Sequence, residues 1–192
     1  MIDGTKLFQD AEVISLREFG VEFSTFTVSA KRLETYPRYR VTEEAEAYDA
    51  YQAGAAVDVL FNKGWHDLLR TAEARNAKIE RIRILPQRMN AYVQFEIEHG
   101  YAVSAQFGEE ISVVEYDRFR DIAGELGATP DFWLFDDQRA YLMVYDADGV
   151  FLGVLKLGDA AASDLLSLYV AVSKVAHDLD WAFGKYVRSR AH

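Results

Sequence analysis

The sequence predicts one α+β domain: a mixed sheet ending in a C-terminal three-stranded antiparallel meander, covered by a long C-terminal helix. Segments that alternate apolar and polar residues are interleaved with segments whose apolar residues recur at steps of three and four. Two short polar turns, Asp136-Asp137 and Asp146-Ala147-Asp148-Gly149, join three apolar runs as hairpin connections do. No repeat, low-complexity run or Pro/Gly/Ser-rich linker divides the 192 residues. A single domain over 1–192 is therefore expected, with 1–22 a helical N-terminal extension and 23–187 the core.

Taken in order, Val13, Leu16 and Phe19 predict a helix over Asp10 to Phe19, with Gly20 as its stop. Phe26, Val28 and Ala30 alternate with Thr25, Thr27 and Ser29, which predicts a strand with one buried face over Ser24 to Leu33. Thr42 is placed to cap a surface helix whose first turn carries Glu43 and Glu44 and which stops at Gly54. Trp65, Leu68, Leu69 and Ala72 describe a helix packed on one side and terminated near Asn76. Ile79 to Leu85 is a strand with Ile82 and Ile84 on one face and arginines on the other. A helix followed directly by a strand is a joint of α/β folds.

Asn90 to Glu98 reads equally as a helix capped by Asn90 or as an alternating strand. Ile111 to Val114 is a short strand, and Tyr116 or Asp117 opens a helix to Gly127 with Phe119, Ile122 and Leu126 inward. Phe132 to Phe135 is apolar on both faces, as a central strand covered from both sides would be. Arg139 to Tyr145 and Val150 to Leu157 complete the meander. Leu165, Leu168, Val172, Val175, Leu179, Phe183 and Tyr186 then predict one long helix over Asp159 to Val187.

A net charge of -10 disfavours direct nucleic-acid binding, which depends on Lys and Arg neutralising phosphates. The basic residues from Lys63 to Arg88 read as part of a mixed solvated surface. With no cysteine, disulfides, zinc-thiolate sites and thiol nucleophiles are excluded. No export signal and no run of membrane-spanning length is present. A cytoplasmic chain that does not enter the membrane is the expectation.

The string Tyr145-Asp146-Ala147-Asp148-Gly149-Val150 is similar to the first motif of haloacid dehalogenase phosphatases, with Asp146 as nucleophile and Asp148 as acid/base. That family's later motifs sit on further strands of a parallel sheet, which a closing hairpin strand and helix do not supply, so a hairpin turn is the preferred reading. The glycine comes fourth rather than sixth, which removes an EF-hand. Asp131, Asp136, Asp137, Asp146 and Asp148 could hold a metal only by converging; no metal or other cofactor is expected. Glu96 and Glu98 would share one face of a strand as an acid/base pair or as a polar outer face. His66, His99, His177 and His192 show no ligand spacing. Tyr36, Tyr39, Tyr48, Tyr51 and Trp65 are candidate partner-binding residues, since clustered amphipathic aromatics suit recognition, although packing would use them equally.

The string Asp131-Phe132-Trp133-Leu134-Phe135-Asp136-Asp137 resembles an actinobacterial family of unknown function, often encoded beside helix-turn-helix regulators. The resemblance extends through Ala30-Lys31-Arg32-Leu33-Glu34, Ile82-Arg83-Ile84, Tyr92-Val93-Gln94-Phe95-Glu96, Gly108-Glu109 and Asp148-Gly149. It implies no catalytic residues, and it suggests a helix-turn-helix regulator as partner. The layout is also distantly similar to a phospholipase D half without that family's His-x-Lys pair. A non-catalytic regulatory or binding module acting through a protein partner is thus expected. The alternatives are a metal-dependent phosphoester hydrolase using the clustered aspartates and an acidic mimic of nucleic acid.

Overall fold

The computed structural model describes residues 8–124 and 130–187. These form an α+β unit with eight strands in one mixed sheet. The strands are β1 (Glu12–Ile14), β2 (Ser29–Glu34), β3 (Lys78–Leu85), β4 (Glu109–Glu115), β5 (Phe132–Phe135), β6 (Arg139–Tyr145), β7 (Phe151–Lys156) and β8 (His177–Asp178), in spatial order β1-β7-β6-β5-β2-β3-β4-β8. β2, β3 and β4 run parallel; the other pairings are antiparallel. The expected meander is β5-β6-β7, and Phe132 to Phe135 is buried at all four positions.

The helices are α1 (Leu16–Thr25), α2 (Ala45–Gln52), α3 (Lys63–Ala74), α4, α5 (Tyr116–Ala123), α6 (Asp159–Ser173) and α7 (Leu179–Tyr186). Helix α4 comprises Ala91–Phe95, a π-helical stretch Glu96–Tyr101 and the short turns Ala102–Ser104 and Ala105–Phe107. Asn90 caps it, its side chain accepting from the Val93 N–H at 2.9 Å. That decides the open choice at Asn90 to Glu98 in favour of helix.

Alternation along the strands gives the sheet two different faces. Leu33, Ile82, Ile84, Phe132 and Leu134 pack under α6 and α5 against Leu165, Leu168, Val172 and Phe119. The opposite face carries Ala30, Ile79, Trp133, Phe135 and Tyr141 beneath α1 and α3. Farther along it lie Leu85 and Val113 beneath α2 and α4, with Tyr48, Tyr92, Phe95 and Tyr101 above. Arg32, Glu34, Arg81 and Arg83 occupy the inward positions between these two apolar regions.

Several boundaries differ from expectation. Ser15 and Glu18 form a reciprocal capping box, so the first helix starts after Ser15 and runs through Gly20 to Thr25. Glu12–Ile14 is instead the edge strand β1, paired with β7. Within the expected helical stretch 1–22, residues 16–22 are helical and 12–14 belong to the sheet. Phe19 is buried as expected, whereas Val13 and Leu16 are exposed. Thr42 to Glu44 is a 3-10 turn leading into α2, with no side-chain cap, and Ala47 and Tyr48 are buried.

The long C-terminal helix is two helices. Ser173 ends α6, His177-Asp178 adds β8 to the edge of β4, and the Asp178 side chain caps α7 by accepting from the Trp181 N–H. Helix α5 ends at Gly124; the expected contact of Leu126 falls outside the described residues.

Candidate functional site

The site grows from a conflict inside β2 and β3. Both are central strands covered on both faces, yet Arg32, Glu34, Arg81 and Arg83 point inward. An isolated buried charge is prohibitively costly, so each must find a counter-charge. The covering helices and neighbouring strands supply them: Glu96 from α4, Glu109 from the start of β4, and Asp131 from the residue before β5.

Arg81 donates through Nε to Glu109 Oε1 at 2.6 Å and through Nη1 to Glu34. Its guanidinium lies 5.5 Å from the ring centres of both Trp65 and Tyr101, a cation held between carboxylates and aromatic faces. Trp65 Nε1 donates to the other Glu109 oxygen at 2.9 Å. Arg83, fully buried, places Nη2 3.1 Å from Glu96 Oε2 and lies over the Tyr39 ring. Arg32 pairs with Asp131, which also accepts from the Tyr39 hydroxyl and the Thr35 N–H.

Protons in this network are placed by Tyr101. Its hydroxyl is 2.7 Å from Glu34 Oε2 and 3.0 Å from Glu96 Oε1. One hydroxyl proton cannot be donated to two carboxylates. The arrangement is satisfied when Glu96 is protonated and donates to the Tyr101 oxygen while Tyr101 donates to Glu34. Burial pushes Glu96 well above the usual carboxylate range despite Arg83. Burial also acts to raise Glu34, but Arg81, Arg32 and Arg83 together hold it below its ordinary value. Burial raises Glu44 to about 6, against the hydrogen bond it accepts from Tyr92 at 2.9 Å.

These groups frame a partly open cleft of about 100 Å³. Its polar wall is Glu34, Glu44, Glu96, Glu109 and Arg81; its aromatic wall includes Tyr39, Trp65, Tyr92, Phe95, Tyr101 and Tyr145. A second hollow of about 310 Å³ lies across the segment 39–44, lined by Arg38, Arg40 and Tyr48 and sharing Tyr39, Val41, Glu44 and Tyr92 with the first.

The expected partner-binding aromatics separate. Tyr39 and Trp65 face the cleft and Tyr48 the second hollow, but Tyr39 and Tyr48 are buried. Tyr36 donates to the Tyr145 carbonyl and Tyr51 to Glu98, so the five do not make one continuous exposed surface. The aspartates do not converge either. Asp131 is buried with Arg32, and Asp137 pairs with Lys31. Asp136 accepts from the backbone N–H groups of Thr27, Val28 and Ser29. Asp146 accepts from the N–H groups of Asp148 and Val150, as a hairpin turn requires. No group of three or more metal-ligating side chains comes together among the described residues.

Two further expectations are corrected. Glu96 and Glu98 are on a helix and separate, Glu96 facing Arg83 and Glu98 facing Tyr51. Arg81 and Arg83 are internal rather than part of a solvated basic surface, because α3 and α4 cover their face of the sheet. The sequence reading missed Glu34, Glu109, Tyr92 and Tyr101 as site residues. The available signal was Arg81 and Arg83 alternating with Ile82 and Ile84 in β3.

Fold and cleft define a mixed α+β domain whose internal charges frame an aromatic-lined opening. A family model described as a domain of unknown function, DUF6879, matches residues 17–187, and the chain belongs to this family. The match runs from α1 to the end of α7. No curated protein matches the chain, and among the described residues no helix is long and apolar enough to cross a membrane.

Proposed function

We propose that the chain is a non-catalytic binding domain that works through a protein partner. The observation that carries this reading is the state of the cleft's polar groups. Arg81, Glu34, Glu96 and Glu109 are engaged with one another or with tyrosine and tryptophan groups, and among the described residues no serine, threonine or histidine is paired with a base at the cleft. Groups locked in this way hold a fixed electrostatic shape, which suits recognition, whereas nucleophilic catalysis needs a nucleophile beside its base.

A helix-turn-helix regulator is the partner favoured by the family resemblance carried on Asp131 to Asp137. The test uses the purified chain and a regulator encoded beside it. Calorimetric titration should give saturable one-to-one binding, and the chain with Mg²⁺ should leave p-nitrophenyl phosphate intact. Hydrolysis of the phosphoester without regulator binding overturns the proposal in favour of the hydrolase. The acidic-mimic alternative rests on net charge alone.

A further inference from the structure

We infer that the cleft framed by the sheet, the segment 39–44 and helices α3 and α4 is a receptor for an organic cation bearing N–H donors, the ammonium or guanidinium head of an amine or basic side chain. The inference deepens the reading of a binding domain by assigning the chemistry of what enters the cleft.

Charge balance comes first. Five carboxylates, Glu34, Glu44, Glu96, Glu109 and Asp131, are gathered around three guanidiniums, Arg32, Arg81 and Arg83. The proton on Glu96 offsets one of the two extra carboxylates, so the surplus charge falls on Glu44; both residues line the cleft. Glu44 meets no cationic side chain at ion-pair distance among the described residues. Glu96 is more than nine-tenths buried, and its Oε2, although 3.1 Å from Arg83 Nη2, has no aligned hydrogen bond. A buried acceptor left in this state is costly and is relieved by a donor from outside.

The chain already shows what such a donor looks like. Arg81 is held by two carboxylates and two aromatic faces. The adjoining part of the cleft repeats that combination in Glu44, Glu96, Tyr92 and Phe95, where among the described residues no cationic side chain lies over Tyr92 or Phe95 or pairs with Glu44. Cations over aromatic faces gain further when the site excludes water. Size narrows the guest: about 100 Å³ accepts a head group of a few heavy atoms, given roughly 30 Å³ for one water. The absence of a converging carboxylate set among the described residues favours a guest that spreads its charge over several N–H groups rather than a bare metal ion. A neutral guest would leave the surplus charge uncompensated, and an anion would add to it.

The test is calorimetric titration of the whole chain with butylammonium and butylguanidinium, against neutral butylurea of matching shape. At least one cation should bind about tenfold more tightly than butylurea or better, the equivalent of about 1.4 kcal/mol. Glu44→Gln should lower cation affinity by about tenfold, while Glu98→Gln should not. Glu44 lies at the rim, so its variant should fold. Equal binding of cation and urea, or cation binding unchanged in folded Glu44→Gln, overturns the inference.

Blocked arginine and lysine amides identify the source. Binding that matches the alkyl cations means a partner's side chain can enter; binding confined to the alkyl cations means a free amine. Loss of regulator binding with cation binding retained would remove the partner proposal and leave this one standing.

Discussion

Arg83 Nη2 and Glu96 Oε2 lie 3.1 Å apart, joining the middle of β3 to the π-helical stretch of α4 in the protein interior. This pair fastens the helix that roofs the cleft onto the strand that floors it. Breaking a buried pair from one side strands the other charge, at about 3 to 5 kcal/mol. Glu96→Leu leaves the buried Arg83 charge without this partner and should therefore lower unfolding free energy by that amount in urea titrations. The double variant Arg83→Met/Glu96→Leu should recover most of the loss. Equal loss in both would mean the pair contributes through packing rather than charge.

The aromatic string of β5 makes a second prediction. Phe135 is wholly buried and packs against Phe19, Phe23, Phe26 and Tyr141. Phe135→Ala should cost about 3 to 5 kcal/mol, as should Trp133→Ala. Chemical denaturation measures both, and the expected loss is one of stability before any loss of binding.

The β6–β7 turn gives a third. Gly149 adopts φ 77°, and a Cβ there would lie 2.2 Å from the Arg38 carbonyl oxygen, so Gly149→Ala should cost about 2 to 4 kcal/mol. Asp146→Ala removes the acceptor of two N–H groups and should cost about 1 to 2 kcal/mol. Asp148→Ala keeps the backbone carbonyl that accepts from Arg40 and should stay within about 0.5 kcal/mol of wild type. A catalytic aspartate pair would give a different order, with activity lost first.

Stability should also depend on pH in a direction opposite to the usual carboxylate case. Burial raises Glu44 to about 6 and raises Glu96 as well. The folded state then holds these protons more tightly than the unfolded chain, whose glutamates titrate near about 4.3. The contribution is complete below the unfolded value and is lost as pH rises through about 6 for Glu44, and through the raised value of Glu96 beyond it. Glu34, held down by its three arginines, contributes in the other sense and is lost only in strong acid. Melting temperature should fall between about pH 5 and about pH 8, and Glu44→Gln with Glu96→Gln should flatten that fall.

Much of the fold was legible because single-residue chemistry decides it locally. The β5–β7 meander follows from its two turns, and Ile82 and Ile84 mark the face of β3 that packs under α5 and α6. Asn90 capped the helix that periodicity alone left open. The break at Ser173 was hidden because Leu168, Val172, Val175 and Leu179 keep helical spacing across it; Asp178, three residues before Trp181, was the local sign of a new helix. Ser15 and Glu18 offered a similar sign at the start of α1. The site was less legible for a physical reason. Alternation of Arg81 and Arg83 with isoleucines reveals two faces but not what covers each, and the acid that meets Arg83, Glu96, lies in the stretch whose periodicity left helix and strand open.

The most direct measurement is of ring-proton NMR shifts of Tyr92 and Tyr101 as butylguanidinium is added at low salt. Saturating shifts at both rings, absent with butylurea and lost in Glu44→Gln, are the result predicted for an internal charge network that frames a cation-binding cleft. Unmoved rings, or shifts that butylurea reproduces, would contradict it.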